Sequence, residues 1–264
     1  MRGVDAAERA IVRDGIGLGT AVGVFGLSFG ALAAAAGLSV AKTCVLSLAM
    51  FTGGSQLAYV GVLGAGGSAG AAAASALLLG SRNALYGVAV GPLLRLPRWL
   101  RPIAAHWVID ETTAMTTGAV RVPDTADAVP PTTQPTPLDP AAGSRDERPE
   151  RRPRLAFAVT GAAVFTCWNV ATLAGALLGR SVSDPGVLGL DAVGPAAFLT
   201  LLWPRLRGRG AGPARRVAVA GAVLALAASL VAPAGLAVPL AALAVLAAGT
   251  PGRRAGRTPA RGAP

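Results

Sequence analysis

The chain has 264 residues, 53% of them hydrophobic and 14% charged, with a formal net charge of +11. That length admits one or two soluble domains, but the charges gather in short stretches between long apolar windows, which excludes an ordinary soluble core. Arginines flank those windows, as at Arg205, Arg207, Arg209, Arg215 and Arg216, so the basic charge reads as membrane orientation and argues against nucleic acid as a partner.

A helix needs about 20 mostly apolar residues to cross the hydrocarbon core of a bilayer. In chain order the windows that reach or approach this length are Gly15 to Ala41, Thr43 to Leu94, Ile103 to Ile109 continuing to Val120, Leu155 to Gly179, Pro185 to Trp203, and Val217 to Thr250. Thr43 to Leu94 carries one charge, Arg82, and is long enough for two passes. The Pro233-Ala234-Gly235 turn divides the last window into a hairpin. The expected fold class is therefore all-α, a polytopic integral membrane protein with six to eight transmembrane or re-entrant helical segments.

In the first window Arg2, Arg9 and Arg13 precede the apolar run in the manner of a signal peptide. The run continues to Ala41, well past the roughly 7–15 residues of a signal core, so a retained first helix is expected. Within it Gly15, Gly19, Gly23, Gly26 and Gly30 lie three or four residues apart and form a stripe where another helix can approach closely. Ordinary helix packing accounts for that stripe, and for Gly87 with Gly91 and Gly175 with Gly179.

The second window contains Phe51-Thr52-Gly53-Gly54-Ser55-Gln56, where adjacent glycines weaken a helix beside two hydrogen-bonding side chains. Freed backbone groups at Gly53, Gly54, Ser55 and Gln56 would suit the carboxylate and ammonium of a small substrate. The alternative is a glycine kink with Gln56 bonded to a neighbouring helix. Further on, Ser81-Arg82-Asn83 lies between leucine-rich flanks. A membrane-embedded arginine must be paired, and Arg82 has two solutions: an ion pair with Asp110 or Glu111, or a substrate carboxylate, with Asn83 beside it.

In the third window His106, Asp110, Thr113 and Thr117 follow a spacing that on a helix forms one polar stripe, with Glu111 about 100° away. Embedded acids face cavities and serve ion or proton paths, which makes His106, Asp110 and Glu111 candidate coupling residues. An interfacial helix with its polar face in water would carry the same pattern. Residues 121–154 then turn to Pro, Thr, Asp, Glu and Arg and read as a disordered cytoplasmic linker. It separates an N-terminal membrane half, 1–120, which holds the candidate site, from a C-terminal membrane half, 155–250, and a basic cytoplasmic tail, 251–264. In the C-terminal half Trp168 and Asn169 add substrate-binding candidates, Asn169 also serving as a helix bridge; Asp191 fits a helix cap.

Cys44 and Cys167 lack paired spacing and only His106 offers a nitrogen ligand, so no metal site, disulfide or cofactor is expected. Nor is there an HExxH, GxSxG or phosphate-loop motif to suggest an enzyme. The arginine bias puts the linker, the Arg205 to Arg216 loop and the tail on the cytoplasmic side, and the N-terminus with them. Full crossing of every window would put Arg95, Arg98 and Arg101 outside. The conflict disappears if Thr43 to Leu63 and Arg101 to Val120 are re-entrant or broken; full crossing that violates the charge rule is the other reading.

Taken in order, Gly26-Leu27-Ser28-Phe29-Gly30, Gly37-Leu38-Ser39, Phe51 to Gln56, Ser81-Arg82, Leu85-Tyr86-Gly87, Asp110-Glu111-Thr112, Trp168 with Thr172 and Gly175, and Leu190-Asp191 with Pro195 to Leu202 resemble the AzlC family. The chain departs from that pattern at Gly80, Asn83 and Val24 and in its long linker. The resemblance implies a multi-pass protein of the bacterial cytoplasmic membrane. It further implies export of branched-chain amino acids, assembly with a small AzlD-type membrane subunit, and proton coupling. A non-transporting scaffold or channel-like subunit is the competing class, and the insertion cost of Arg82, Asp110 and Glu111, roughly 2–3 kcal/mol each, argues against it.

Reporter fusions at Thr125, Gly210 and Gly256 are expected to report one and the same cytoplasmic side; a periplasmic signal at Gly210 would overturn this topology.

Overall fold

The computed structural model describes residues 6–120, 148–181, 210–232 and 237–248, with a few positions between 196 and 208. Among the described residues the regular structure is helical: α1 (Ala6–Ala35), α2 (Val40–Ala49), α3 (Gly54–Gly64), α4 (Ala69–Gly80), α5 (Arg82–Leu94), α6 (Arg101–His106), α7 (Asp110–Ala119), α8 (Arg148–Ser181), α9 (Gly212–Val231), α10 (Ala237–Ala242) and a 3₁₀ segment Leu243–Ala248. Four stretches are long and apolar enough to cross a membrane: Ala6–Ala35, Ala69–Leu94, Arg151–Ser181 and Gly212–Val231. The expected six to eight segments are thus four spans among the described residues. The Pro185 to Trp203 window falls almost wholly outside those residues, as do Asp191, the Pro233-Ala234-Gly235 turn and the 251–264 tail.

The central pair is α1 against α8. A Cβ built on Gly19 would lie 2.5 Å from the Ala163 Cβ, one on Gly23 2.7 Å from the Cys167 Cβ, and one on Gly26 2.6 Å from the Trp168 carbonyl. Gly175 and Gly179 answer from α8, against Leu27 and Ala31. Matched residue numbers rise together, so the two helices run parallel. The glycine stripe is a packing surface that lets two backbones touch. Small hydroxyls finish the contact: Thr160 and Thr172 of α8 are fully buried, and Ser47 Oγ lies 3.4 Å from Thr172 Oγ1.

Two short hairpins hang from opposite ends of this pair. Helices α2 and α3, with 10 and 11 residues, are about 15 Å long each, half of a ~30 Å hydrocarbon core. Gly64 returns to within 3.8 Å of Ala36 near the C-terminal end of α1, while the turn reaches down to Trp168, 3.7 Å from a Cβ placed on Gly53. Gly53 itself has φ 57 and ψ −83, a conformation open to glycine and costly for other residues. From the other end, α6 rises to a turn at Trp107–Ile109 and α7 descends until Ala119 packs with Ile11 and Ala156. Trp107 lies flat on α8, where a Cβ on Gly161 would come within 2.6 Å of its ring. Of the two readings of Thr43 to Leu63 and Arg101 to Val120, full crossing or broken, the structure has the broken one, and their turns meet halfway along α8: Phe51 stacks edge-on against Phe165 at 5.0 Å, and Trp107 lies 5.9 Å from the same ring.

Between the hairpins run α4 and α5, nearly one helix with a break at Ser81, so Arg82 sits midway along the 26-residue stretch. Helices α9 and α10 pack on each other and reach the rest through α4. Most of α9 is exposed, with Leu230 at 86%, as expected of a surface that lipid covers.

One expectation needs correction. The segment 148–154, read by composition as linker, forms the first turns of α8. Arg151 pairs with the buried Glu8 at 3.3 Å, and the Arg154 guanidinium donates to the carbonyls of Leu94 at 2.7 Å and Arg95 at 3.3 Å. These contacts are tertiary, and local composition does not reveal them; the remainder, 121–147, lies outside the described residues. The same bonds bring Arg95 to the end of the bundle that carries Arg9, Arg13 and the start of α8. Arg95, Arg98 and Arg101 therefore lie at the end that carries Arg9, Arg13, Arg151 and Arg154, which is the arrangement the charge bias calls for.

Replacing Gly19 or Gly26 with leucine is expected to lower the melting temperature of the detergent-purified protein, the overpacking cost being roughly 1–3 kcal/mol. Gly17→Leu, facing open space on the same helix, is the control and should melt like the parent.

Candidate functional site

Three interruptions converge at mid-depth: the Met50–Gly53 turn, the Ser81 break and the Trp107–Ile109 turn. Around them α1 contributes Val22 and Phe25, and α8 contributes Val164 and Trp168. The space enclosed is a cavity of about 120 Å³, also lined by Phe51, Thr52, Gly53, Gly54, Leu57, Arg82, Ile109, Asp110 and Glu111. Non-helical backbone at such depth is tolerated only where protein or a water-filled cavity shields it. Each turn meets that condition.

Arg82 and Asp110 face each other across the cavity, Nη2 to Oδ2 at 3.0 Å, with side chains 31% and 21% exposed. The pair uses one edge of each group. Arg82 Nε and Asp110 Oδ1 are buried without a hydrogen-bond partner among the described residues, and so are Thr52 Oγ1 and Trp168 Nε1. Two donors and two acceptor-capable oxygens therefore stand unused on the walls of one small apolar cavity. Buried polar atoms without partners are uncommon in proteins, and a cluster at a cavity marks a place for a ligand or water.

The turn that supplies Ile109 and Asp110 is held by one side chain. Thr112 Oγ1 accepts the Ile109 N–H at 3.0 Å and donates to the Trp107 carbonyl at 2.7 Å. The break follows the re-entrant reading of Arg101 to Val120, and the single helical stripe from 106 to 117 does not form. His106 ends α6, Asp110 begins α7, and the proposed single stripe is split. His106 is exposed, with its ring 6.1 Å from both Phe51 and Phe165, and it does not line the cavity. Thr113 and Thr117 remain stacked on α7, Thr117 donating to the Thr113 carbonyl at 2.8 Å.

Of the sequence-derived candidates, the structure brings together Gly53, Gly54, Arg82, Trp168, Asp110 and Glu111. It places the others elsewhere. Gln56 is fully buried and donates its Nε2 to the Ser47 carbonyl at 3.2 Å, bracing α3 against α2, which is the neighbouring-helix reading. Ser55 turns toward α4, where a Cβ on Gly80 would lie 3.2 Å from its hydroxyl. Asn169 donates to the Phe165 carbonyl one turn back at 2.8 Å, and Asn83 lies off the cavity wall on α5. Sequence reasoning passed over Val22, Phe25, Thr52, Leu57, Ile109 and Val164. Thr52 was within the motif and carried the signal; the apolar ones look like any membrane residue. Among the described residues no group of three His, Cys, Asp or Glu side chains is placed to hold a metal, and Cys44 and Cys167 are free thiols.

Removing either partner of the ion pair leaves the other charge stranded beside an apolar cavity. Arg82→Ala and Asp110→Ala should each destabilise the purified protein, while the double variant recovers part of the loss. The expected coupling is roughly 0.5–3 kcal/mol, read from thermal melting of the four proteins.

A protein-family model described as AzlC protein matches residues 17–182 of the chain. No curated protein and no solved structure matches it.

Proposed function

The chain belongs to the AzlC family, a family of membrane transporters associated with branched-chain amino acids, and on that premise we propose that it exports such amino acids across the bacterial cytoplasmic membrane, coupled to protons and assembled with a small AzlD-type subunit. The observation that carries this reading is the mid-depth cavity crossed by the Arg82–Asp110 pair. Secondary transporters bind at the membrane midplane between broken helices, where irregular backbone and half-helix ends supply polar groups.

The unused wall groups suit a zwitterion. Arg82 Nε and Trp168 Nε1 are donors for a carboxylate; Asp110 Oδ1 and Thr52 Oγ1 accept from an ammonium. Val22, Phe25, Leu57 and Val164 then offer an apolar surface to the side chain. A cavity of ~150 Å³ takes a benzene molecule, so 120 Å³ suits an isopropyl or isobutyl group and excludes an indole. Binding of the zwitterion would loosen the Arg82–Asp110 pair, since each partner gains a second, opposite charge. Asp110 and Glu111, adjacent on the first turn of α7, are then the groups placed to exchange a proton, with Arg82 facing them and His106 one short turn away. The three embedded groups, Arg82, Asp110 and Glu111, are costly for a scaffold that carries nothing.

Cells lacking other exporters should tolerate valine- or leucine-containing dipeptides when this protein and its small partner are produced together. Asp110→Asn and Glu111→Gln are expected to cut that tolerance and the measured efflux rate by about tenfold or more, at equal membrane abundance. Parental export by both variants would end the proton-coupling proposal, and export of lysine or arginine instead would end the substrate assignment.

A further inference from the structure

A second, larger cavity of about 630 Å³ lies between α5 and α6. Its walls include Val90, Leu94, Arg101, Ala104, Ala105 and Val108. It belongs to the arginine-rich end of the bundle: Leu94 and Arg95 accept from Arg154, and Arg101 Nε donates to the Leu96 carbonyl at 3.2 Å. The central cavity begins one residue further along the chain. Val108 lines the large chamber and Ile109 lines the central one, and both are buried, at 6% and 5%. A single turn of non-helical backbone is therefore the partition between the two spaces.

That partition is short. Trp107 and Val108 donate back to the Ala104 and Ala105 carbonyls of α6, the Ile109 carbonyl accepts from Thr113, and the remaining ties across the turn run through one hydroxyl, that of Thr112. Trp107 rests on α8 at Gly161, with its ring 5.9 Å from that of Phe165. Small segments with few ties are the ones that open locally while the surrounding bundle stays folded. Both turns pack an aromatic ring against Phe165, and the Met50–Gly53 turn has a further brace, the Gln56 side chain bonded to the Ser47 carbonyl across its hairpin.

We propose that the Trp107–Ile109 turn is the cytoplasm-side gate of the transport path, and that the chamber between α5 and α6 is the vestibule from which a zwitterionic amino acid reaches the central cavity. This rests on the reading of the chain as an exporter. The chamber supplies an arginine-lined mouth that draws in a carboxylate, then an apolar passage ending at Val108. When the Thr112 ties break, Val108 and Ile109 swing aside together, and the substrate meets Arg82 and Asp110 directly behind them. Closure behind the substrate restores the partition.

The test is accessibility to a membrane-impermeant methanethiosulfonate in inside-out vesicles containing the full chain and its small partner. Cys44 and Cys167 are first replaced by alanine. Ala105→Cys in the vestibule should react quickly from the cytoplasmic face, and Thr52→Cys in the central cavity more slowly. Adding Thr112→Val should raise the Thr52→Cys rate about tenfold, the scale of losing the hydrogen bonds its hydroxyl makes to the turn, Val108→Ala should raise it by thinning the partition, and both should leave the Ala105→Cys rate unchanged. The unchanged rate shows that the variant is folded. Failure of Ala105→Cys to react would make the chamber a lipid-facing groove and overturn the proposal. So would a Thr52→Cys rate indifferent to both substitutions. None of these rates depends on which solute is exported, so the gate can stand if branched-chain export fails, and can fail if export stands.

Discussion

A side chain at Gly26 would collide with the Trp168 carbonyl, and one at Gly19 with Ala163, so α1 and α8 can lie together only because the facing positions are nearly bare backbone. In a bilayer no hydrophobic force drives helices together; close van der Waals contact and hydrogen bonds do. The parallel pair provides the one long rigid surface in the described structure. Both hairpins lean on it, from opposite ends, and their turns are held at the depth where α8 presents Phe165 and Trp168. If the pair were looser by the width of a methyl group, neither turn would be shielded, and unshielded turns do not survive in hydrocarbon.

With the turns fixed, chemistry follows from geometry. Each hairpin brings irregular backbone and a few polar side chains to the same level, and the break at Ser81 brings Arg82 to meet them. Opposite charges then sit at the ends of different elements, Arg82 at the start of α5 and Asp110 at the start of α7. The ion pair thus ties a spanning helix to a hairpin and not one spanning helix to another. Such a tie can be exchanged without disturbing the α1–α8 frame.

How much of this was legible in the sequence depended on the range of the interaction responsible. Gly53-Gly54 announced a break because a glycine pair acts on its own backbone, and the embedded Arg82 announced a partner because an unpaired charge has nowhere else to go. The second break was harder. Its polar spacing fits a helix, and what ends that helix is Thr112 reaching back to Trp107, a local tie that the residue types at those positions do not distinguish from an ordinary helical threonine. Gln56 looked like a substrate ligand because nothing in the sequence shows that Ser47 lies across the hairpin. The first turns of α8 read as linker for the same reason: Arg151 and Arg154 look solvated until Glu8 and the end of α5 are placed beside them. Thr43 to Leu94 is long enough for two passes; of the two readings of its first part, crossing or re-entrant, the chain takes the second, with two half-length helices followed by one broken span.

The parallel pairing of α1 with α8 also bears on how the molecule is made. Gly15 meets Thr160, and Gly30 meets Thr172, so the partner of the first helix is synthesised long after that helix has left the ribosome. At translation rates of 5–20 residues per second the wait is on the order of 10 s. During it α1 stands in the membrane with its glycine face turned to lipid, and the two hairpins, already made, have no α8 to shield their turns. Assembly is therefore decided late, by the arrival of α8. Until then the half-built bundle is the form of this protein most exposed to quality-control proteases and most open to a wrong helix in the waiting groove.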